Sequence, residues 1–221
     1  MSKAMAGTVG VLLAGGKARR MGGGDKCLRP LAGRPILMHV IERARPQVDA
    51  LVLNANGDPA RFAAFGLPVL PDVVDGFAGP LAGVLTGMEW AAANRPDCPW
   101  IVTIATDTPF FPEDLVEGMM TALQRNNAEL ACAVSGARAH PVFGLWPVGL
   151  APALRAAMVD EEIRKVDRFT GRYRLAEAEF ALEPFDPFFN TNRPEDLDEA
   201  ERLLADQVAV TGVGSSAVDQ A

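Results

Sequence analysis

The chain has 221 residues, 49% of them hydrophobic and 22% charged, which is the balance of an ordinary globular protein long enough for one sizeable core. Its formal charge of −7 argues against a nucleic-acid partner, because phosphate backbones are held by clustered Lys and Arg. Cys27, Cys98 and Cys132 are an odd set without metal-ligand spacing, which excludes a disulfide framework or zinc site and points to a reducing, cytoplasmic setting. No apolar run approaches the roughly 20 residues that span a bilayer, so no membrane association is expected.

In chain order, residues 8–14 (TVGVLLA) read as a buried parallel strand. The run is too short for a signal-peptide core and passes straight into Gly15, Gly16 and the basic Lys17, Arg19 and Arg20. Residues 35–45 predict a helix opened by Pro35, with Ile36, Leu37, Val40, Ile41 and Ala44 on one face. A strand over 51–54, a short helix over 58–65 and a strand over 67–70 follow, then a helix over 80–94 and the clear strand 100–105 (WIVTIA). Pro112-Glu113-Asp114 predicts a helix start, with Pro at the first position and carboxylates at the positive end of the dipole. Past residue 128 the rhythm changes. Strands over 130–134 and 141–146 precede two helical stretches and a short strand, and a second Pro-Glu-Asp at Pro194 opens a closing helix carrying Leu197, Ala200, Leu203 and Leu204.

This alternation predicts an α/β fold: a single three-layer α/β/α domain with a mostly parallel, Rossmann-like sheet and a mixed C-terminal part. The domain is expected over residues 1–207, with a nucleotide-binding half to about 128 and an acceptor-binding half over 129–207. The small, polar residues 208–221 are expected to form a disordered tail.

The richest segment is LAGGKARRMGGGDK, residues 13–26. It starts where the first strand ends, the edge at which open α/β sheets place ligands. Glycines let backbone N–H groups close on an anion, while Lys17, Arg19, Arg20 and Lys26 can offset the charge of a triphosphate. Neither the dinucleotide fingerprint nor the P-loop spacing is met. On composition alone a solvated surface loop stays open.

With Gly33-Arg34-Pro35 beyond it, the segment resembles the signature of nucleotidyltransferases, and within them the molybdenum cofactor guanylyltransferases (the MobA family). The resemblance runs over about residues 8–204. It implies nucleotide contacts at Leu13, Ala14, Gly15, Gly16 and Lys26 in the first loop. Further contacts are implied at Asn54 of an Asn-x-Asn turn with Asn56, at Asp72, and at Gly79, Pro80 and Leu81 of a helix opening. Asp107, in a motif similar to the family's Asp-x-Pro, resembles its magnesium ligand and would also touch GTP. Arg19 and Lys26 would act with Asp107 in catalysis. His140, Asn190 and Asn192 resemble residues on the acceptor side, and His140-Pro141-Val142-Phe143 and Arg164-Lys165-Val166 are similar to segments that line the pterin pocket.

Read without the resemblance, Asn54 and Asn56 could be turn residues, and Asp72 and Asn192 could be caps. An N-cap role for Asp107 is weakened by the five residues separating it from Pro112. His39 and His140 are the only histidines and no nucleophile elbow exists. An acceptor that already carries a phosphate would need positioning and charge neutralisation rather than a general base. The resemblance implies GMP transfer from Mg2+-bound GTP to molybdenum-loaded molybdopterin, with molybdoenzymes and their chaperones as partners. A cytidylyl or sugar-phosphate nucleotidyltransferase and a non-catalytic cofactor carrier are the competing readings.

Overall fold

The structure, a computed structural model, describes residues 7–15, 25–76 and 79–213. Strand β1 (Thr8–Leu13) is buried along nearly its whole length. A 3-10 turn at Lys26–Leu28 leads to a small hairpin, β2 (Pro30–Leu31) and β3 (Arg34–Pro35). Its turn, Ala32-Gly33, has φ of 49° and 75°, the left-handed pair that two-residue hairpins favour. Helix α1 (Ile36–Ala44) buries Ile36, Leu37, Val40, Ile41 and Ala44, the face its periodicity predicts.

Next come β4 (Ala50–Asn54), a 3-10 helix at Pro59–Phe65, β5 (Val69–Leu70), α2 (Pro80–Asn94) and β6 (Trp100–Ala105). The chain continues through α3 (Leu115–Arg125), β7 (Leu130–Ser135), β8 (Arg138–Pro147), α4 (Ala151–Val159), α5 (Val166–Thr170), β9 (Leu175–Phe180) and α6 (Pro194–Val213).

Three expectations shift. The segment 58–65 is 3-10 rather than α, closed by Asp58 accepting from the Ala60 N–H at 2.9 Å at one end and by Gly66 at φ 63° at the other. Pro112-Glu113-Asp114 is a turn, with the Leu115 N–H donating to the Pro112 carbonyl, and the helix starts at Leu115. Helix α6 runs to Val213, past the expected start of the tail, since residues 208–211 contain neither Gly nor Pro to stop it. Residues 214–221 lie outside the described residues.

The seven-stranded sheet has the order β5-β4-β1-β6-β8-β7-β9. All its neighbours pair parallel except β8, which runs antiparallel to both β6 and β7. The three-layer α/β/α architecture and the mixed C-terminal part are therefore as expected. One core lies between the sheet and α1, α3 and α6, and a second between the sheet and α2, α4 and α5. Helix α2 sits close on the sheet through Gly83 and Gly87. A Cβ at Gly83 would overlap Asn54 Oδ1 and Leu13 Cδ2, and one at Gly87 would overlap Val11. From β1 the chain passes to β4 on one side, then crosses to β6 on the other, so the switch point of the topology lies at the ends of β1.

Candidate active site

The register brings three strand ends to one level: Leu13 of β1 pairs with Asn54 of β4 and with Ala105 of β6. The loops beyond are tied to one another. The Ala14 N–H donates to the Asn54 carbonyl at 2.9 Å, and Thr106 Oγ1 donates to the Leu13 carbonyl at 3.1 Å. A cleft of about 740 Å³ opens above them, at the crevice where open α/β sheets bind ligands.

On the β4 side, Asp72 is held by two amides. Asn54 Nδ2 donates to its Oδ1 at 2.9 Å and Asn56 Nδ2 to its Oδ2 at 2.7 Å, while the Asp72 N–H donates back to Asn56 Oδ1 at 2.8 Å. Asp72 therefore caps no helix; its carboxylate is fixed at the cleft wall. Arg61 supports this corner by donating to the Asn56 carbonyl at 2.6 Å and to Asp25 Oδ2 at 2.5 Å, with its guanidinium over the Phe62 ring. Asp25 is the first described residue after the glycine-rich loop, so Arg61 anchors that end of it.

At the centre, Lys26 Nζ lies 2.7 Å from Asp107 Oδ2 and donates also to Asn192 Oδ1. Their side chains are 13% and 24% exposed for Lys26 and Asp107, so the pair is largely shielded. The 190–192 segment is clamped onto this centre, because Thr191 donates to the Asp107 carbonyl through its N–H at 2.9 Å and its hydroxyl at 3.1 Å. Asn192 Nδ2 donates to Asn190 Oδ1. The capping of α6 falls to Asp196, whose Oδ2 accepts from the Asn192 and Arg193 N–H groups at 2.7 Å each. The Asn192 side chain is thereby left to the cleft centre.

On the β8 side, His140 is buried and stacks on Phe188 with ring centroids 4.3 Å apart. Burial pushes the His140 pKa down, with Arg138 adding to the shift and Asp186 opposing it. Between Cys132 and Ala133 of β7 the register slips, from Gly144 to His140 on β8, so that Pro141, Val142 and Phe143 bulge out of the ladder and are re-aimed. Thr103 of β6 pins the bulge by donating to the Val142 carbonyl at 2.7 Å.

The structure thus brings Leu13, Ala14, Gly15, Lys26, Asn54, Asp72, Gly79, Pro80, Asp107, His140 and Asn190 to one cleft, with Asn192 joined through Lys26. Leu81 is not among the lining residues; its side chain is buried against the sheet in the core beneath α2. Gly16, Lys17, Arg19 and Arg20 lie outside the described residues. Arg164 and Lys165 line a separate surface hollow with Glu161 and Arg172, while Val166 is buried in the core. Pro141, Val142 and Phe143 line the same cleft beside His140, whereas sequence reasoning missed Cys27, Thr106, Arg138 and Phe188 as lining residues. It also missed Ser135 and Asp186 behind His140, for which a Ser five residues before a His across a Gly-Ala turn was the available signal.

Among the described residues no group of three or more His, Cys, Asp or Glu could hold a metal ion. The arrangement suits an ion that takes one or two protein carboxylates and completes its shell from phosphates and water. Asp107 already attracts a cation, the Lys26 ammonium, on its cleft side. Among the described residues no helix is long and apolar enough to cross a membrane.

Comparison with known proteins bears on this geometry. The model of the MobA-like NTP transferase domain matches residues 10–177. A molybdenum cofactor guanylyltransferase of Bradyrhizobium sp. (strain ORS 278) is 58% identical over 196 residues, covering 89% of this chain and 92% of the relative. Among solved structures, molybdopterin-guanine dinucleotide biosynthesis protein A from Archaeoglobus fulgidus superposes with a TM-score of 0.68 at 21% identity, covering 90% of this chain and 99% of that one. A CMP:2-keto-3-deoxy-manno-octonic acid synthetase complexed with CTP superposes at 0.65 with 15% identity, covering 93% of this chain and 100% of that one. The fold is thus shared with a synthetase solved with CTP bound.

Proposed function

The chain belongs to the MobA-like NTP transferase family, as a nucleotidyltransferase, and on that premise we propose that it acts in molybdenum cofactor synthesis by transferring GMP from magnesium-bound GTP to the terminal phosphate of molybdenum-loaded molybdopterin. An oxygen of the acceptor phosphate attacks the α-phosphorus of GTP in line. The bond from the α-phosphorus to the bridging oxygen breaks, and pyrophosphate leaves with that electron pair, giving the guanine dinucleotide.

The observation that carries this reading is the convergence of Lys26, Asp107 and Asn192 at the switch-point cleft. Lys26 neutralises charge developing on the phosphates, the largest contribution a site of this type makes. Asp107 and the Asn192 amide oxygen would hold magnesium, which when bound supplies charge neutralisation and orientation of the phosphates. Helix α2 begins at Pro80 behind its N-cap Gly79, at φ 154°, and both residues line the cleft, so the positive end of the helix dipole favours an anion there.

Base choice is assigned to Asp72. Guanine presents two adjacent N–H donors on its pairing edge, which a carboxylate can accept together, whereas cytosine and uracil offer no such pair. Asn54 and Asn56 fix the carboxylate while using only part of its acceptor capacity. The test is thermal stabilisation in magnesium. GTP at about 100 times its Kd should add about 2.7 kcal/mol, several degrees of Tm for a chain of this size, with CTP, UTP and dTTP giving little. Equal stabilisation by CTP would overturn the guanine assignment.

A further inference from the structure

Behind His140 lies a hydrogen-bonded series that the transfer chemistry does not explain. Ser135, at the end of β7, sits across the Gly136-Ala137 turn from β8. Its Oγ is 2.8 Å from His140 Nε2 and donates to Asp186 Oδ1 at 2.9 Å. Asp186 Oδ1 also accepts the Phe188 N–H at 3.0 Å, which fixes the carboxylate and the ring stacked on His140 in one turn of chain.

The proton count sets the tautomer. A hydroxyl has one proton, and the carboxylate is the stronger acceptor, so that proton points to Asp186. Toward His140 the Ser135 oxygen can then only accept, so Nε2 must carry the imidazole proton and Nδ1 is left with a bare lone pair. Among the described residues nothing bonds Nδ1, which is not fully enclosed, and His140 lines the cleft. Nδ1 is therefore left open to a donor that enters the cleft. The low pKa imposed by burial is consistent with a neutral ring.

We propose that Ser135 and Asp186 are positioning residues that hold His140 in its Nε2–H tautomer, so that Nδ1 accepts a hydrogen bond from an N–H or O–H donor on the heterocycle of the acceptor. This rests on the function proposed above for the identity of that acceptor. His140 thereby selects for a donor at one place on the ring and rejects analogues presenting a lone pair there. Phe143 and Phe188, edge to face at 4.9 Å, line the same side of the cleft with apolar surface that suits a flat ring.

Nitrogen NMR of histidine-labelled protein reads the tautomer directly, and steady-state kinetics read its use. Wild-type protein should show a protonated Nε2 and an unprotonated Nδ1. Ser135→Ala removes the acceptor for Nε2, and Asp186→Ala releases the Ser135 proton toward it, so both should move protonation to Nδ1. In both, the KM for the acceptor should rise about tenfold, with kcat and GTP affinity near wild type, the pattern of lost uniform binding. GTP binding serves as the folding control, and should Asp186→Ala not fold, Ser135→Ala and the wild-type spectrum decide. A protonated Nδ1 in wild type, or an acceptor KM unchanged in Ser135→Ala, overturns the proposal. Absence of any transfer by wild-type protein would instead overturn the functional reading and the acceptor named here, while the spectrum still decides the relay.

Discussion

Removing Lys26 leaves Asp107 with a 3.3 Å contact from Thr108 Oγ1 and whatever water can reach a side chain 24% exposed. Exposed ion pairs contribute about 0–1 kcal/mol, but this one is largely shielded, and hydrogen bonds to charged groups in such places are worth about 1.5–3 kcal/mol. Lys26→Met should therefore destabilise the ligand-free protein by about 2 kcal/mol, roughly 4–8 °C of Tm at this chain length. Asp107→Asn should cost less, about 1 kcal/mol, because Lys26 keeps Asn192. In the double variant neither charge is stranded, so its loss should fall short of the sum by about 1.5 kcal/mol. Denaturation without nucleotide or divalent metal measures all four proteins. Turnover should behave differently: each single variant loses about 10²-fold or more, and the double variant recovers none of it, because both groups also serve the substrate. Additivity of the stability losses within about 0.5 kcal/mol would refute the coupling.

Three further outcomes follow from packing and burial. Gly83→Val places carbon where Asn54 Oδ1 and Leu13 Cδ2 stand, so stability should fall by about 1–3 kcal/mol and nucleotide affinity with it; Gly15→Ala, with no atom of the described residues within 4 Å of the added Cβ, should leave fold stability within about 0.5 kcal/mol. The Cys27 thiol is pushed up to about 12 and that of Cys132 to about 11, chiefly by burial. Native protein should therefore resist iodoacetamide at pH 8 and react only on denaturation, and rapid native labelling at Cys27 would contradict the burial. Burial lowers the pKa of His140, so the unfolded chain binds the extra proton first as pH falls. Its stabilising contribution is complete above the unfolded value of about 6.5 and is lost as pH drops below it. His140→Gln should flatten that part of the stability profile, and an unchanged slope would contradict the assignment.

Much of the fold was legible because the periods are clean. The apolar run of β1 and the 3.6-residue spacing in α1 survive into the structure unchanged. The hairpin Pro30–Leu31 with Arg34–Pro35 was not, since two residues per strand cannot display alternation. The two Pro-Glu-Asp sites are instructive. At Pro194 the aspartate reaches back to two N–H groups and α6 starts at the proline, while at Pro112 Asp114 makes no side-chain cap and the chain turns first. Only tertiary contact separates them. In the site, Lys26 and Asp107 stood out through their motifs. That Asn192 would meet Lys26, 166 residues away, is a product of the sheet order and of Thr191 docking on Asp107, and no local spacing encodes it. Leu81 shows the opposite failure, because a contiguous motif includes whichever helix face points to the core.

The most direct test of the central claim is pyrophosphate release, measured with magnesium and each nucleoside triphosphate in turn, with and without molybdenum-loaded molybdopterin. The account predicts release from GTP only when the pterin is present, with GMP recovered in the dinucleotide product. Release from another nucleotide, or with a sugar phosphate in place of the pterin, would contradict the substrates. Tight GTP binding with no release under any pairing would contradict catalysis itself.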